Sequence, residues 1–449
     1  MKIGLLAMSG IRAHDAELLS LGLTLPGFVS RSKQIASLPS LGLLYLGALT
    51  PGEHEVKYLE APADGDEAAG IYDCDLVAIS TFTAQVFEAY AIADRLRERG
   101  AIVAMGGLHV SVLPQEAAGH ADLVLVGEAE NAWATVLEKA EALRQGDRPA
   151  TGEIIQASAF GPVDVADLPV PRYDLLDAGK YNRITVQSSR GCPWRCDFCA
   201  SNVMLGKPYR KRPVEHVARD IRAVLDRKPN AFIELADDNT FVDKAWGRQL
   251  CEAIAPLGVS WFTETDISVA DDPELLDAIA EAGCRQLLIG LESPTRNALD
   301  HVELRNNFKL RQFDRYVSAV KAIQSRGITV NGCFVLGLDG QKTAAFDAVY
   351  DLALEMGLYD TQITVMTPFP GTPLHDRLLA EGRILEPGAW QLCTLFDVNY
   401  QPTDMTPDEL RNGMRYLTRR LYSTEGTHAR RRKFFDNIDP KWRRRKASA

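Results

Sequence analysis

The chain has 449 residues, of which 46% are hydrophobic and 24% charged, a composition typical of a globular protein with two or three domains. Its formal net charge of −10 argues against a surface for nucleic acid, because phosphate-backbone binding needs clustered Lys and Arg. No stretch of the sequence is long and apolar enough for a membrane span, and the first residues predict a buried strand and not a signal peptide.

Residues 1–145 alternate between short apolar runs and segments with helical spacing. The apolar runs are residues 2–8, 75–81, 101–107 and 122–127. They lack polar alternation, which suits parallel strands covered on both faces, and residues 84–98 and 130–144 have the spacing of amphipathic helices. We therefore predict a doubly wound, Rossmann-like α/β domain, which binds ligands beyond the carboxyl ends of its strands.

The predicted strands of this domain end in small and polar residues, which permit close approach of a ligand to the backbone. These candidate binding residues are Ser80, Thr81, Thr83, Gly106, Gly107, His109, Gly127 and Glu128. His109 has a second interpretation, as a polar loop residue that caps a helix.

Residues 146–183 contain prolines at positions 162, 169 and 171, which prevent a long helix, so we predict an extended linker.

From residue 184 to 373 six strand-like runs alternate with helical segments and predict an open, partial (β/α)6 barrel. The predicted barrel strands are residues 184–188, 232–236, 260–263, 286–291, 329–336 and 362–366. Residues 374–449 predict a mostly helical extension with a basic tail, which is either solvated or in contact with an anionic partner.

Three of the eight cysteines fall within eight positions, directly after the first predicted barrel strand. Cys192, Cys196 and Cys199 have the spacing C-x3-C-x2-C, which lets one loop place three thiolates on one iron–sulfur cube. Three ligands leave one iron open to a small molecule. A structural zinc site is the alternative, but no fourth Cys or His follows closely. The other five cysteines are isolated, as expected of reduced thiols in a cytoplasmic protein.

With Arg190-Gly191-Cys192-Pro193 as its lead-in and Phe198 before its last cysteine, this loop resembles that of the radical S-adenosylmethionine (SAM) superfamily. The resemblance implies a [4Fe-4S] cluster that donates one electron to SAM, and a 5′-deoxyadenosyl radical that takes a hydrogen atom from a small-molecule substrate. It also implies an electron donor of the flavodoxin or ferredoxin type. Phe198 would pack on the adenine of SAM, unless it is an ordinary core aromatic.

The same resemblance implies that polar residues at the other barrel strand ends contact SAM, because carboxylates and amides bind ammonium groups and ribose hydroxyls. Residues 237–239 would approach the amino group, and Thr263 or Glu264 the ribose. The complete set of implied SAM contacts is Phe198, Asp237, Asp238, Asn239, Thr263, Glu264 and Glu292. For Glu292 the alternative is a carboxylate that only holds its own loop.

The amino-terminal segment is similar to the cobalamin-binding domain that precedes many radical SAM enzymes. The matching segments are residues 39–46, 80–81, 106–109 and 127–130. No Asp-x-His-x-x-Gly motif is present, so a bound cobalt would lack a protein histidine below it. A Rossmann-like scaffold without a cofactor is the alternative.

Together these resemblances imply a cobalamin-dependent radical SAM enzyme that functionalises an unactivated carbon of a small metabolite or natural product, most often by C-methylation. One alternative is radical chemistry without cobalamin, such as dehydration, rearrangement or cyclisation, and another is a non-catalytic redox sensor or scaffold. Methylthio transfer to tRNA is less well supported, because enzymes of that class carry three further cluster cysteines in their first domain. Here Cys74 is the only cysteine before the linker. No residue identifies the substrate. The candidates for a catalytic acid or radical quencher are Tyr209, Tyr316, Cys333 and Tyr400.

Overall fold

The computed structural model describes residues 1–8, 10, 13–21, 38–61, 68, 70–204 and 208–447. Within these residues the amino-terminal part forms a parallel sheet of six strands in the order β2-β1-β3-β4-β5-β6. Its strands are β1 (Lys2–Ala7), β2 (Glu55–Glu60), β3 (Leu76–Ser80), β4 (Ile102–Gly106), β5 (Leu123–Val126) and β6 (Glu153–Gln156). The predicted doubly wound α/β architecture is confirmed.

Helices cover both faces of this sheet. They are α2 (Leu41–Leu49), α3 (Val86–Glu98), α4 (Leu108–Val112), α5 (Pro114–Ala117) and α6 (Trp133–Gln145), whereas α1 (Ala16–Ser20) packs with the core of the second sheet. Alternate residues of each strand enter opposite cores: Val77 packs with α3, whereas Leu76 packs with α2 and α6. This alternation explains the continuous apolar runs, since a strand covered on both faces has no polar side.

The edge strands β2 and β6 were not predicted from the sequence. Both are half-exposed, so charged residues interrupt their apolar pattern. Strand β6 pairs with β5 inside the interval 146–183, which we predicted as an extended linker. Part of that interval therefore belongs to the first sheet.

The second parallel sheet has the order β14-β13-β12-β11-β10-β7 and is open between its two edge strands. Its strands are β7 (Arg183–Val186), β10 (Phe232–Leu235), β11 (Ser260–Thr265), β12 (Cys284–Glu292), β13 (Thr329–Leu336) and β14 (Asp360–Val365), while β8 (Ser189–Arg190) and β9 (Arg210–Lys211) form a small antiparallel pair. The helices are α7 (Ser201–Met204), α8 (Val214–Leu225), α9 (Lys244–Ile254), α10 (Pro273–Glu281), α11 (Phe308–Gln312), α12 (Tyr316–Ser325) and α13 (Ala344–Met356). This is the predicted partial barrel.

The carboxyl-terminal part is helical, as predicted, with α14 (Pro373–Ala380), α15 (Pro407–Tyr422), α16 (Thr424–Asn437) and α17 (Pro440–Ala447). Helices α15 and α16 pack against α13. Arg430 is only 2% exposed and donates to the carbonyl groups of Leu358 and Leu421, so this first residue of the predicted basic tail is part of the core. No helix in the described part of the chain is long and apolar enough to cross a membrane.

Candidate active site

The three cysteines of the C-x3-C-x2-C loop lie beyond the carboxyl end of β7, between β8 and β9. Their thiols are partly exposed, form no disulfide and are close enough to affect one another's pKa. Burial raises the pKa of Cys199 to about 11 and raises the pKa values of Cys192 and Cys196 as well. The thiolate forms therefore need positive counter-charge, which iron would supply. The donor set thus fits an iron–sulfur cluster.

Among the described residues, no group of three or more His, Cys, Asp or Glu side chains is gathered closely enough to hold a single metal ion. The thiolates of a four-iron cube stand farther apart than the ligands of one ion.

Asp237, at the end of β10, holds the start of the cysteine loop. Its carboxylate accepts hydrogen bonds from the backbone N–H groups of Ser188 (2.8 Å) and Ser189 (2.9 Å), and from the hydroxyl groups of Ser188 and Thr240. A carboxylate has about four acceptor positions, and all are used here. In this structure Asp237 is thus a buried anchor of the loop, and its contact with the SAM ammonium group stays a prediction.

Asp238 and Asn239 reach farther along the same loop. The Asp238 carboxylate accepts from the backbone N–H of Gly191 (2.9 Å) and from the hydroxyl of Ser201. The Asn239 amide nitrogen lies 3.8 Å from the Cys192 sulfur. The segment predicted to contact SAM is thus next to the cysteines, but its side chains mainly position the loop.

The third barrel strand, β11, places Thr263 and Glu264 on opposite faces. The Thr263 hydroxyl donates to the Leu235 carbonyl (3.1 Å), its oxygen lies 2.5 Å from that of the Thr240 hydroxyl, and Thr263 is fully buried. Its role as a ribose contact stays a prediction. Glu264 instead faces the barrel interior, where its charge affects Cys333.

Replacing Glu264 with glutamine is expected to stabilise the protein at high pH. Burial, reinforced by the nearby Glu234 carboxylate, raises the pKa of Glu264 to about 8, whereas an unfolded glutamate titrates near 4.3. The folded state binds this proton more tightly, so the free energy of unfolding falls as pH rises from about 5 to 8, by about 3 kcal/mol. Thermal unfolding from pH 5 to 9 should show a flatter pH dependence for Glu264→Gln. An equal slope for both proteins would contradict the assignment, and Glu252→Gln, at an exposed site, is the control.

Glu292, at the end of β12, forms a buried ion pair with Lys309. The Lys309 ammonium donates to Glu292 (2.7 Å) and to the Gly290 carbonyl (2.9 Å), and its charge acts on Cys196. Glu292 has a positive φ of 63°, which a residue other than glycine rarely adopts. Lys309 was missed in the sequence analysis, because it lies on α11, 17 residues beyond its partner.

Phe198 is partly buried and packs against the barrel core, which is compatible with its interpretation as an ordinary core aromatic.

The carboxyl ends of β3, β4 and β5 meet as predicted. Gly107 has a φ of +108°, and a Cβ atom there would lie 2.5 Å from the Thr81 carbonyl oxygen, so only glycine fits. The Ser111 hydroxyl donates to the Gly107 carbonyl (2.8 Å) and accepts from the Gly127 N–H (3.0 Å). Gly106 and the partly exposed Ser80 end neighbouring strands at this edge.

His109 is fully buried at this edge. Its Nε2 lies 3.1 Å from Glu116, which also accepts a hydrogen bond from the indole N–H of Trp390 (3.2 Å). Burial lowers the pKa of His109, which favours the neutral ring. The carboxyl-terminal part of the chain therefore covers this histidine.

Several buried polar atoms near this covered edge have no hydrogen-bond partner within the described part of the chain. They are Thr83 Oγ1, Gln85 Oε1, His109 Nδ1 and Gln391 Oε1. The turns Thr83–Gln85 and Trp390–Leu392 pack against each other. Because buried polar atoms are normally paired, these atoms fit a ligand with many amide groups, such as cobalamin.

Glu128, which was predicted to contact cobalamin, pairs with two arginine side chains of the barrel domain. Its two oxygen atoms accept hydrogen bonds from Arg190 (2.7 Å) and Arg210 (2.8 and 3.0 Å), which flank the cysteine loop. Glu128 therefore joins the first sheet to the barrel, and its contact with cobalamin stays a prediction.

Comparison with protein families agrees with these two parts of the chain. The B12 binding domain family matches residues 36–137, and the Radical SAM superfamily matches residues 186–353. The chain therefore contains a radical SAM domain. This radical SAM enzyme also has an amino-terminal B12-binding domain, so its cofactors are a [4Fe-4S] cluster, SAM and cobalamin. A domain of unknown function, DUF4070, matches residues 372–449.

Similar proteins include several named methyltransferases. The bacteriochlorophyllide d C-12(1)-methyltransferase of Chlorobaculum tepidum is 27% identical over 85% of this chain and 82% of its own length. The hopanoid C-2 methylase of Rhodopseudomonas palustris is 25% identical over 78% and 66%. Among solved structures, the radical SAM methyltransferase TsrM from Kitasatospora setae has a TM-score of 0.65 at 16% identity and covers 98% of this chain and 90% of TsrM, which shows a shared fold.

Proposed function

We propose that this radical SAM enzyme is a cobalamin-dependent C-methyltransferase that acts on an unactivated carbon of a small metabolite or natural product. One observation carries the proposal: Glu128, at the end of β5 in the B12-binding domain, contacts both arms of the cysteine loop. The binding edges of the two cofactor domains therefore face the same interface. The methyltransferases among the similar proteins support methyl transfer as the reaction.

When bound, the cluster supplies one electron, SAM supplies a carbon radical and a methyl group, and cobalamin supplies a methyl carrier. Cys192, Cys196 and Cys199 would each bind one iron and leave the fourth to the amino and carboxylate groups of SAM. The Lys309 ammonium, whose charge acts on Cys196, would balance negative charge on the thiolates and on the SAM carboxylate. Glu292 holds that ammonium in place.

The barrel interior below the cysteines is polar and would orient the substrate or the ribose of SAM. Glu264 is protonated at neutral pH, since its pKa is about 8 because of burial, and would donate one hydrogen bond there. The Asn331 side-chain oxygen is buried and has no partner among the described residues. A cytoplasmic location and an electron donor of the flavodoxin or ferredoxin type stay predictions.

The test uses protein reconstituted anaerobically with iron and sulfide, with or without hydroxocobalamin, and then given methyl-labelled SAM and dithionite. Stoichiometric cobalamin binding, label on the cobalamin and formation of 5′-deoxyadenosine would support the proposal. Cleavage of SAM without cobalamin binding would favour radical chemistry of another kind. A cluster with no 5′-deoxyadenosine would instead indicate a non-catalytic role.

A further inference from the structure

The cysteine loop has a narrow base, formed by the antiparallel pair β8 and β9. In this pair Arg190 lies directly opposite Arg210, and Ser189 opposite Lys211. The cysteines lie between these strands, so we call Arg190 and Arg210 the neck of the loop. Like charges at opposed positions of an antiparallel pair repel each other, and Arg190 is only 5% exposed. The neck therefore needs negative charge from elsewhere in the fold.

That charge comes from the B12-binding domain. Glu128 accepts from both neck arginines, and the Glu130 carboxylate accepts from Nη2 of Arg190 at 2.5 Å. Arg190 also donates through Nε to Gln187 (2.7 Å), which orients its guanidinium group. These bonds are charge-assisted and largely shielded from water, so they are stronger than surface ion pairs.

A tyrosine from the same domain completes the contact. Tyr45, on α2, is fully buried, and its ring lies 5.9 Å from the Arg190 guanidinium and 5.8 Å from that of Arg212. The Tyr45 hydroxyl accepts a hydrogen bond from Arg212 (2.9 Å), which is paired with Asp220 (2.7 Å). The side of the neck that faces the first sheet is thus enclosed by residues of the B12-binding domain.

We propose that Glu128 and Glu130 are positioning residues for the iron–sulfur loop, supplied by the other cofactor's domain. They neutralise the neck and would fix the position of the cluster relative to the carboxyl edge of the first sheet, where cobalamin would be bound. Glu128 directly follows Gly127 at that edge, and Arg190 stands two residues before Cys192, so one ion pair spans the two cofactor loops. This inference rests on the proposed function, since it needs both cofactors in one molecule.

The test measures the distance between the two cofactors in the variant Glu128→Gln and in the double variant Glu128→Gln/Glu130→Gln. With cob(II)alamin and the reduced cluster both paramagnetic, pulsed electron paramagnetic resonance measures their magnetic dipolar interaction. We expect a broadened distance distribution in both variants, and cluster iron lost to a chelator about 10–100-fold faster, the usual range for an outer-shell partner. An unchanged distribution with wild-type iron loss would overturn the inference.

The matched control is Glu141→Gln, the same charge change in the same domain, because 42% of the Glu141 side chain is exposed and its partners in the described part of the chain lie on its own helix α6. It should leave both readouts unchanged. If the double variant does not fold, Glu130→Gln alone, which leaves both arginines paired with Glu128, decides by the same two readouts. If the wild-type protein does not bind both cofactors, the proposed function is refuted. If the wild type binds both and the variants keep its distance distribution and its rate of iron loss, only the positioning role is refuted.

Discussion

Replacing Cys199 with alanine is expected to abolish cleavage of SAM. The loss of activity should exceed the roughly 10–100-fold decrease that typically follows removal of a residue that only supports a metal ligand. The thiolate is one of three ligands on a single loop, and its loss leaves two cysteines for a four-iron cube. Iron content, the visible spectrum of the cluster and 5′-deoxyadenosine formation should fall together. The circular dichroism spectrum should be unchanged, because Cys199 is partly exposed and alanine differs from cysteine only by the loss of the sulfur atom.

The matched control for this loss is Cys393→Ala. Cys393 is a free thiol, 4% exposed, and it lies outside the cysteine loop. The control should keep wild-type iron content and SAM cleavage. Full activity in Cys199→Ala, or equal losses in both variants, would contradict the ligand assignment.

Replacing Lys309 with methionine is expected to destabilise the protein by about 3–5 kcal/mol, because it leaves the Glu292 carboxylate buried without its partner. It should also weaken SAM binding and make the midpoint potential of the cluster more negative, since a cation beside Cys196 is lost. Denaturant unfolding of the apoprotein, SAM binding and a potentiometric titration measure the three effects separately.

The double variant Lys309→Met/Glu292→Gln separates stability from function. Removing both charges leaves no unpaired ion, so most of the lost stability should return. The midpoint potential and the affinity for SAM should stay altered, because the ammonium is still missing. Recovery of all three quantities would show that Lys309 only holds Glu292 in the fold, and would contradict its role toward the cofactors.

Much of the fold could be predicted from the sequence, because buried parallel strands leave a strong local pattern. Strand β13 was predicted to the residue, and every other barrel strand to within two residues at either end. The edge strands β2 and β6 were missed, since an exposed edge has no continuous apolar run. The two-residue strands at the loop neck are too short to have a pattern at all.

The candidate site was only partly predictable, for a different physical reason. The spacing of Cys192, Cys196 and Cys199 is a local signal, and so is the position of Asp237 after a strand. Which atoms a carboxylate bonds to depends on distant residues: the oxygens of Asp237 are taken by groups some 50 positions earlier in the chain. Lys309 pairs with Glu292 through tertiary structure alone, and nothing near it in the sequence indicates that pair.

The central claim is that the polypeptide binds three irons of a four-iron cluster and leaves the fourth for SAM. Mössbauer spectroscopy of protein reconstituted anaerobically with ⁵⁷Fe, before and after addition of SAM, tests it most directly. We expect a [4Fe-4S] spectrum in which the parameters of one iron site change when SAM binds. A spectrum without a four-iron centre, or one in which no site responds to SAM, would contradict it.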